Sequence, residues 1–339
     1  MMMKKKVLVP GGTGAMGVYL VPELLKMGYQ VDVVSLDTAI STDPNLTYIQ
    51  ADAKDPAYIE SLLKQDYVAV VDFMFYPTRE EFERFTTLYM KNTEHYIFLS
   101  TYRVYANEEH PIKETSPRLL DVATDQAFLQ SGDYSIYKAQ AEDFLRNSAW
   151  KNWTIVRPAI TYSKRRFQLV TLEMDTVVRR MLEGKKLVLP EKAMAVQATM
   201  SWAGDVAVML SRLLLNKDAY GETYSVCTAE HHTWEEIAKM YERIGGLQYC
   251  TVDTQTYIDI LCPDSILFQQ QLIYDRYYDR IMDNSKILNI TGMKQSELMP
   301  LEKGLAMEFA NFPRDYQWGE SAVCRRMDAY LNRRKADGV

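Results

Sequence analysis

The stretch GDYSIYKAQAEDFL, residues 132–145, carries two residues whose types and spacing suit proton transfer: Tyr134 stands four places ahead of Lys138. On a helix, residues four apart share a face. A phenol, with a pKa of about 10, is a poor acid or base at neutral pH. A lysine ammonium on the same face favours the phenolate and lowers that value. On a solvated helix the same pair would do nothing, so its meaning depends on the elements around it.

A second motif bears on chemistry. VLVPGGTGAMG sets Gly11, Gly14 and Gly17 in a G-x-x-G-x-x-G spacing between a first strand and a first helix. Glycines there allow a tight turn and the close approach of a pyrophosphate to the helix N-terminus. An acidic residue for the ribose hydroxyls is expected about 20 residues further on, at the end of the second strand. The chain offers Asp37, two residues beyond Ser35, and no arginine follows until Arg79. NAD is therefore the expected cofactor, with NADP as the alternative. Asp52, after the third strand, is expected either to accept from the adenine amino group or to be a plain loop carboxylate.

The elements that must position these residues alternate. Strand patterns occur at 5–9, 29–35, 46–52, 67–75, 95–101 and 153–158, with helical patterns between all but the second and third. Pro22 is expected to strain the first helix, and Asp55 with Pro56 behind it to open the second. This rhythm predicts right-handed βαβ crossovers and an α/β, doubly wound parallel sheet of the Rossmann type. Beyond residue 160 the rhythm loosens. The expected division is a dinucleotide-binding domain over 1–163, rejoined by 199–228, and a smaller, mainly helical substrate lobe over 164–339. The tyrosines of 272–280 read as a helical core.

Composition narrows the classes. The 339 residues carry a formal net charge of -6, which disfavours a broad nucleic-acid surface. The basic cluster KRR at 164–166 reads as solvated surface. The four cysteines form no C-x-x-C and no zinc-like spacing with histidine. Scattered reduced thiols are expected, and with them a cytoplasmic location. The start MMMKKKVLVPGG has an apolar run too short for a signal peptide, and no later run reaches membrane-spanning length. The four histidines read as structural.

The order of motifs resembles that of the extended short-chain dehydrogenases/reductases, the NAD-dependent epimerase/dehydratase family. The glycine motif, LSTYRVYA at 99–106, YSIYK at 134–138 and VRPA at 156–159 carry the resemblance, with looser echoes in WAGDVA at 202–207 and DNSKILNITG at 283–292. It implies Thr101 as the hydroxyl that holds a substrate oxygen, Tyr134 as general acid/base, and Lys138 as its partner and a ligand of the nicotinamide ribose. It also implies a homodimer through the helices at 78–92 and 134–147. Two departures are specific. The positions of the dehydratases' Asp-Glu pair hold Tyr102 and Arg103, so water elimination is not expected. Ala198 stands where many nucleotide-sugar epimerases have a diphosphate-binding arginine, leaving Arg165, Arg166 or Arg276 to substitute. Phe73 and Met74, at the end of the fourth strand, read as core. The expected function is redox at a secondary alcohol or ketone of a sugar-like substrate, ending in epimerization or in net oxidation or reduction. The alternative is a regulatory or RNA-associated dinucleotide-binding protein of the same fold.

Overall fold

The computed structural model describes residues 5–336, so the basic start at 1–4 and the last residues, 337–339, lie outside it. Short apolar strands alternate with helices, except that β3 follows β2 directly. The order is β1 (Lys6–Pro10), α1 (Gly17–Lys26), β2 (Gln30–Ser35), β3 (Leu46–Gln50), α2 (Pro56–Leu63), β4 (Tyr67–Asp72), α3 (Arg79–Asn92), β5 (His95–Leu99), α4 (Tyr134–Asn147) and β6 (Trp153–Val156). The caps explain where the helices begin. Asp55 accepts from the main-chain N–H groups of Ala57 and Tyr58 ahead of α2, and Thr78 with Glu81 forms a capping box on α3. Helix α1 runs through Pro22 without ending.

The second half contributes β7 (Ile160–Tyr162), α5 (Met174–Leu182), β8 (Lys186–Pro190), β9 (Met200–Trp202), α6 (Ala203–Leu213), β10 (Glu222–Tyr224), α7 (Trp234–Gly245) and β11 (Gln248–Val252). The central sheet has seven strands in the order β10-β6-β5-β4-β1-β2-β3. All six neighbouring pairs are parallel. Strand order reverses between β1 and β4, where ligands bind in open sheets of this kind. Strands β7 and β9 pair outside the sheet, as do β8 and β11.

Both faces of the sheet are covered, as its apolar strands require. Leu20 and Leu24 of α1 pack with Val206 and Leu210 of α6 on one face. Phe82, Phe85 and Tyr89 of α3 pack with Leu145 of α4 on the other. A third core, around Trp234, Tyr241 and Tyr257, fills the lobe. The segment 272–280 departs from the expected tyrosine core. It holds a π-helical turn, Leu272–Arg276, that buries Asp275 and Arg276, and Arg280 is buried just beyond; Tyr274, Tyr277 and Tyr278 are half-buried. Burying those charges is tolerable because Arg276 and Arg280 both pair with Asp275.

Candidate active site

A cleft of about 300 Å³ opens beyond the ends of β5 and β6, beside the loop from β1 into α1. Its wall takes Met16 from that loop, Thr101 from the turn after β5, Tyr134 from the start of α4, and three arginines: Arg103, Arg166 and Arg276. A larger depression of about 520 Å³, between Arg180 and Arg334, holds none of the residues singled out in the sequence.

Thr101 is buried, and its Oγ1 accepts from the Arg103 N–H at 3.2 Å, capping a short 3-10 turn. That leaves the hydroxyl hydrogen free to donate. Tyr134 is the first residue of α4, fixed by Asp133, whose carboxylate accepts from the Ser135 N–H at 2.7 Å. The guanidinium of Arg103 lies over its ring, 5.4 Å from the centroid. Burial raises the phenol's pKa, and Arg103 and Arg166 only partly offset it. This reverses the lowering expected from Lys138. The lysine's Nζ instead donates to the Leu99 carbonyl at 2.7 Å and stands 5.6 Å from the Tyr134 ring centroid. Leu99 ends β5, so its carbonyl is left to capture the ammonium. Burial pulls the Lys138 pKa down to about 8, against the opposing pull of Asp72 and Glu142.

Two carboxylates behind the cleft were not singled out in the sequence. Asp72 ends β4, fully buried, accepting from the Met74 N–H at 2.9 Å and the Tyr96 hydroxyl at 3.1 Å. Burial raises its pKa to about 6 despite those bonds and Lys138. Its signal was the lone acid closing the apolar run YVAVVD. Glu142 lies one turn beyond Lys138, accepting from Ser100 Oγ at 2.6 Å and from Arg157 through Nε at 2.8 Å and Nη2 at 2.5 Å. This buried pair ties α4 to β6 and to the residue after β5. Breaking one partner of such a pair costs about 3–5 kcal/mol.

The glycines of the loop divide by cause. Gly11 has φ +72°, which favours glycine. A Cβ on Gly17 would stand 2.2 Å from the Gly12 carbonyl oxygen, so helix and loop can touch only without one. Gly14 is different: a Cβ there would meet only the Gly11 oxygen, at 3.4 Å, an ordinary contact. The fold alone does not require glycine at 14, whereas a phosphate lying on the loop would. No side chain caps α1 at Met16; the Val18 and Tyr19 N–H groups bond to the Gly14 and Met16 carbonyls, while the Gly17 N–H has no hydrogen-bond partner among the described residues and is open to an anion. The loop therefore fits a dinucleotide pyrophosphate.

Beside the loop, Thr13 Oγ1 and Ser35 Oγ are 2.8 Å apart at the end of β2. Asp37 is exposed, its N–H donating to Ser35 Oγ at 3.1 Å. Asp52 is exposed beyond β3 and accepts from the Lys54 N–H at 2.8 Å. The structure thus gathers Thr101, Tyr134 and Lys138 at the end of β5, and leaves Asp37 and Asp52 apart, past the ends of β2 and β3. In the cluster 164–166, Lys164 and Arg165 are exposed, as expected, and Arg166 is half-buried, but each makes a contact. Arg165 Nη1 donates to the Thr13 carbonyl at 2.6 Å, Lys164 Nζ lies 5.7 Å from the Tyr19 ring centroid, and Arg166 lines the cleft. Arg276 also lines the cleft, whereas Ala198 is buried in a short pairing with His232.

A family model described as NAD(P)H-binding matches residues 11–183. A curated relative, the chloroplast stem-loop binding protein of 41 kDa b from Arabidopsis thaliana, is 23% identical over 257 residues, covering 72% of this chain and 64% of that protein. The match thus spans less than two thirds of the relative's length. Among solved structures, an epimerase from Methanothermobacter thermautotrophicus superposes with a TM-score of 0.71 at 13% identity, covering 91% of this chain and 93% of that one. A UDP-glucuronic acid 4-epimerase from Bacillus cereus, solved with UDP-glucuronic acid and NAD, gives 0.68 at 17% identity, covering 90% and 98%. Among the described residues, no helix is long and apolar enough to cross a membrane.

Proposed function

The chain belongs to the family of NAD(P)H-binding proteins and has the fold of the extended short-chain dehydrogenases/reductases. From that premise we propose that it is an NAD(P)-dependent epimerase or reductase acting on a secondary alcohol or ketone of a sugar-like substrate. The observation that carries this reading is the meeting of Thr101 and Tyr134 on one cleft wall, with the Lys138 ammonium bound to the Leu99 carbonyl behind them. Tyr134, a phenol whose pKa burial raises further above its ordinary value, is protonated at neutral pH, the form that donates to a carbonyl oxygen. Thr101 donates a second hydrogen bond to the same oxygen. In the reverse direction Tyr134 takes the alcohol proton back. A bound nicotinamide would supply the hydride acceptor or donor. Gly11, Gly14, Gly17 and the α1 N-terminus would hold its pyrophosphate, Asp37 and Asp52 its adenosine end, and Lys138 its ribose. With Tyr102 and Arg103 in place of a carboxylate pair, dehydration is not part of the reading. The reading carries with it a homodimer through α3 and α4 and a cytoplasmic location.

The test is to release the dinucleotide from freshly purified protein with acid and identify it by mass, then follow NADH and product stereochemistry on a panel of sugars and nucleotide sugars. Tightly retained NAD with inversion at one carbinol points to an epimerase. An empty site that turns over with added NADPH points to a reductase. Absence of both hydride transfer and inversion across the panel contradicts the proposal.

The name of the Arabidopsis relative, a stem-loop binding protein, favours a second reading, an RNA-associated protein on the same fold. Salt-dependent retention of an RNA stem-loop by the purified chain would support it.

A further inference from the structure

We infer that the substrate carries an anionic oxygen group, a carboxylate or a phosphate, close to the carbinol that reacts. This rests on the catalytic reading of the cleft and narrows it. Three guanidiniums, from Arg103, Arg166 and Arg276, share the cleft wall with Thr101 and Tyr134, and no carboxylate lines it among the described residues. Of the acids that balance them, Asp133 and Asp275 are buried behind the wall and Glu173 is exposed. Asp133 faces Arg103 at 3.3 Å but is already bonded to the Ser135 N–H and hydroxyl. Asp275 is shared among Arg103, Arg276, Arg280 and the Tyr102 hydroxyl. Glu173 is shared between Arg166, at 3.5 Å, and Gln168. Four guanidiniums thus meet three carboxylates, and the uncovered side of the group is the cleft.

Unused donors point the same way. Arg276 spends Nε on the Val170 carbonyl at 2.7 Å and Nη1 on Asp275 and the Tyr102 hydroxyl, and its Nη2 makes no hydrogen bond among the described residues. Arg103 Nε is buried, 3.4 Å from Asp275 but without a hydrogen bond. A guanidinium with two open N–H groups suits the paired oxygens of a carboxylate or phosphate. Because Arg103 lies 5.4 Å from the centre of the Tyr134 ring, an anion held there sits beside the reacting oxygen, away from the dinucleotide loop.

The experiment uses the full chain loaded with NAD, in a buffer free of phosphate. Calorimetry compares D-glucose, D-glucuronate and D-glucose 6-phosphate, and hydride transfer is followed in parallel. At least one acid should bind about tenfold or more tighter than glucose, the worth of one charge-assisted hydrogen bond. Which acid does so separates carboxylate from phosphate recognition. Arg166→Gln, with its side chain 35% exposed, should fold normally, keep its NAD affinity and lose most of that preference. Arg103→Gln is the second variant. Equal affinity for all three sugars, no binding of either acid up to its solubility limit, or an undiminished preference in Arg166→Gln would overturn the inference. An acid preference without hydride transfer to any tested alcohol would uphold the anion site and count against the catalytic reading. Hydride transfer to neutral sugars without an acid preference would do the reverse.

Discussion

The Lys138 ammonium donates to the Leu99 carbonyl at 2.7 Å, tying the second turn of α4 to the last residue of β5. The bond fixes where the lysine can act. It sits beneath the cleft, with the Phe98 ring 4.6 Å away on one side and the Tyr134 ring on the other. Its pKa, held down to about 8, means that the charge is present below that pH and lost above it.

Dinucleotide affinity should therefore weaken as pH rises through about 8. Lys138→Met should weaken it below that pH, by about 1.5–3 kcal/mol if the ammonium bonds the ribose, and should flatten the pH dependence so that the two proteins converge at alkaline pH. Calorimetry of NAD binding from neutral to alkaline pH checks this. A wild-type affinity that does not change across that range contradicts it.

The loop glycines should separate in their effects. Gly14→Val should abolish dinucleotide binding, whereas the fold itself meets its Cβ with only an ordinary contact. Gly17→Ala should destabilise the fold by about 1–3 kcal/mol through overpacking against Gly12. Melting curves and NAD titrations of both variants decide it. Unchanged NAD affinity in folded Gly14→Val would remove the pyrophosphate from this loop.

Acid stability should depend on His95. This ring is buried between strands. Its Nδ1 accepts from the Leu215 N–H at 2.9 Å, and its Nε2 lies 2.8 Å from Thr154 Oγ1. Burial, with Lys217 nearby, lowers its pKa from 6.5 to about 3. The unfolded chain then binds a proton that the fold refuses, so stability is full above 6.5 and falls as pH drops towards 3. The slope is about 1.4 kcal/mol per pH unit. Asp72 and Asp205, both raised to about 6, act with the opposite sign below that value, so the measurement is the difference between wild type and His95→Gln. Parallel urea curves at every pH would contradict it.

Tyr137 provides the internal control for Tyr134. It lies three residues further along α4, against Phe75 and Phe82, and its hydroxyl is buried without a hydrogen-bond partner among the described residues. Tyr137→Phe removes an unsatisfied polar atom. It should leave turnover alone and raise stability by up to about 1 kcal/mol, read as a higher melting temperature. A loss of stability would mean that the hydroxyl has a partner in solution.

The parts of this architecture that depend on local pattern were legible in the sequence. Short continuous apolar strands, the glycines at 11, 14 and 17, and the cap at Asp55 each act within a few residues, and the parallel sheet follows from the alternation of strands and helices. Tyr134 and Lys138 were legible for the same reason, one turn apart on one helix. The sign of the Tyr134 shift was not, because it depends on how deeply the fold buries the phenol and on where the Leu99 carbonyl draws the ammonium. Asp72 was hidden inside an apolar run, and its meaning comes from Tyr96 and Lys138, which lie on other elements. The roles of Arg166 and Arg276 depend on loops that return to the cleft from more than thirty and more than a hundred residues beyond Tyr134. In the sequence KRR looked like surface and Arg276 lay among tyrosines, so both arginines could be offered only as substitutes for a diphosphate-binding arginine, not as neighbours of Tyr134.

The most direct test of the central claim is single-turnover hydride transfer by Tyr134→Phe, using the best substrate from the sugar panel. The substitution removes one oxygen and keeps the ring beneath Arg103. With NAD affinity and melting temperature unchanged, the rate should fall by about 10²–10⁴-fold, the usual worth of a positioned general acid/base. A near-normal rate in Tyr134→Phe, or a larger loss in Tyr137→Phe, would contradict the assignment.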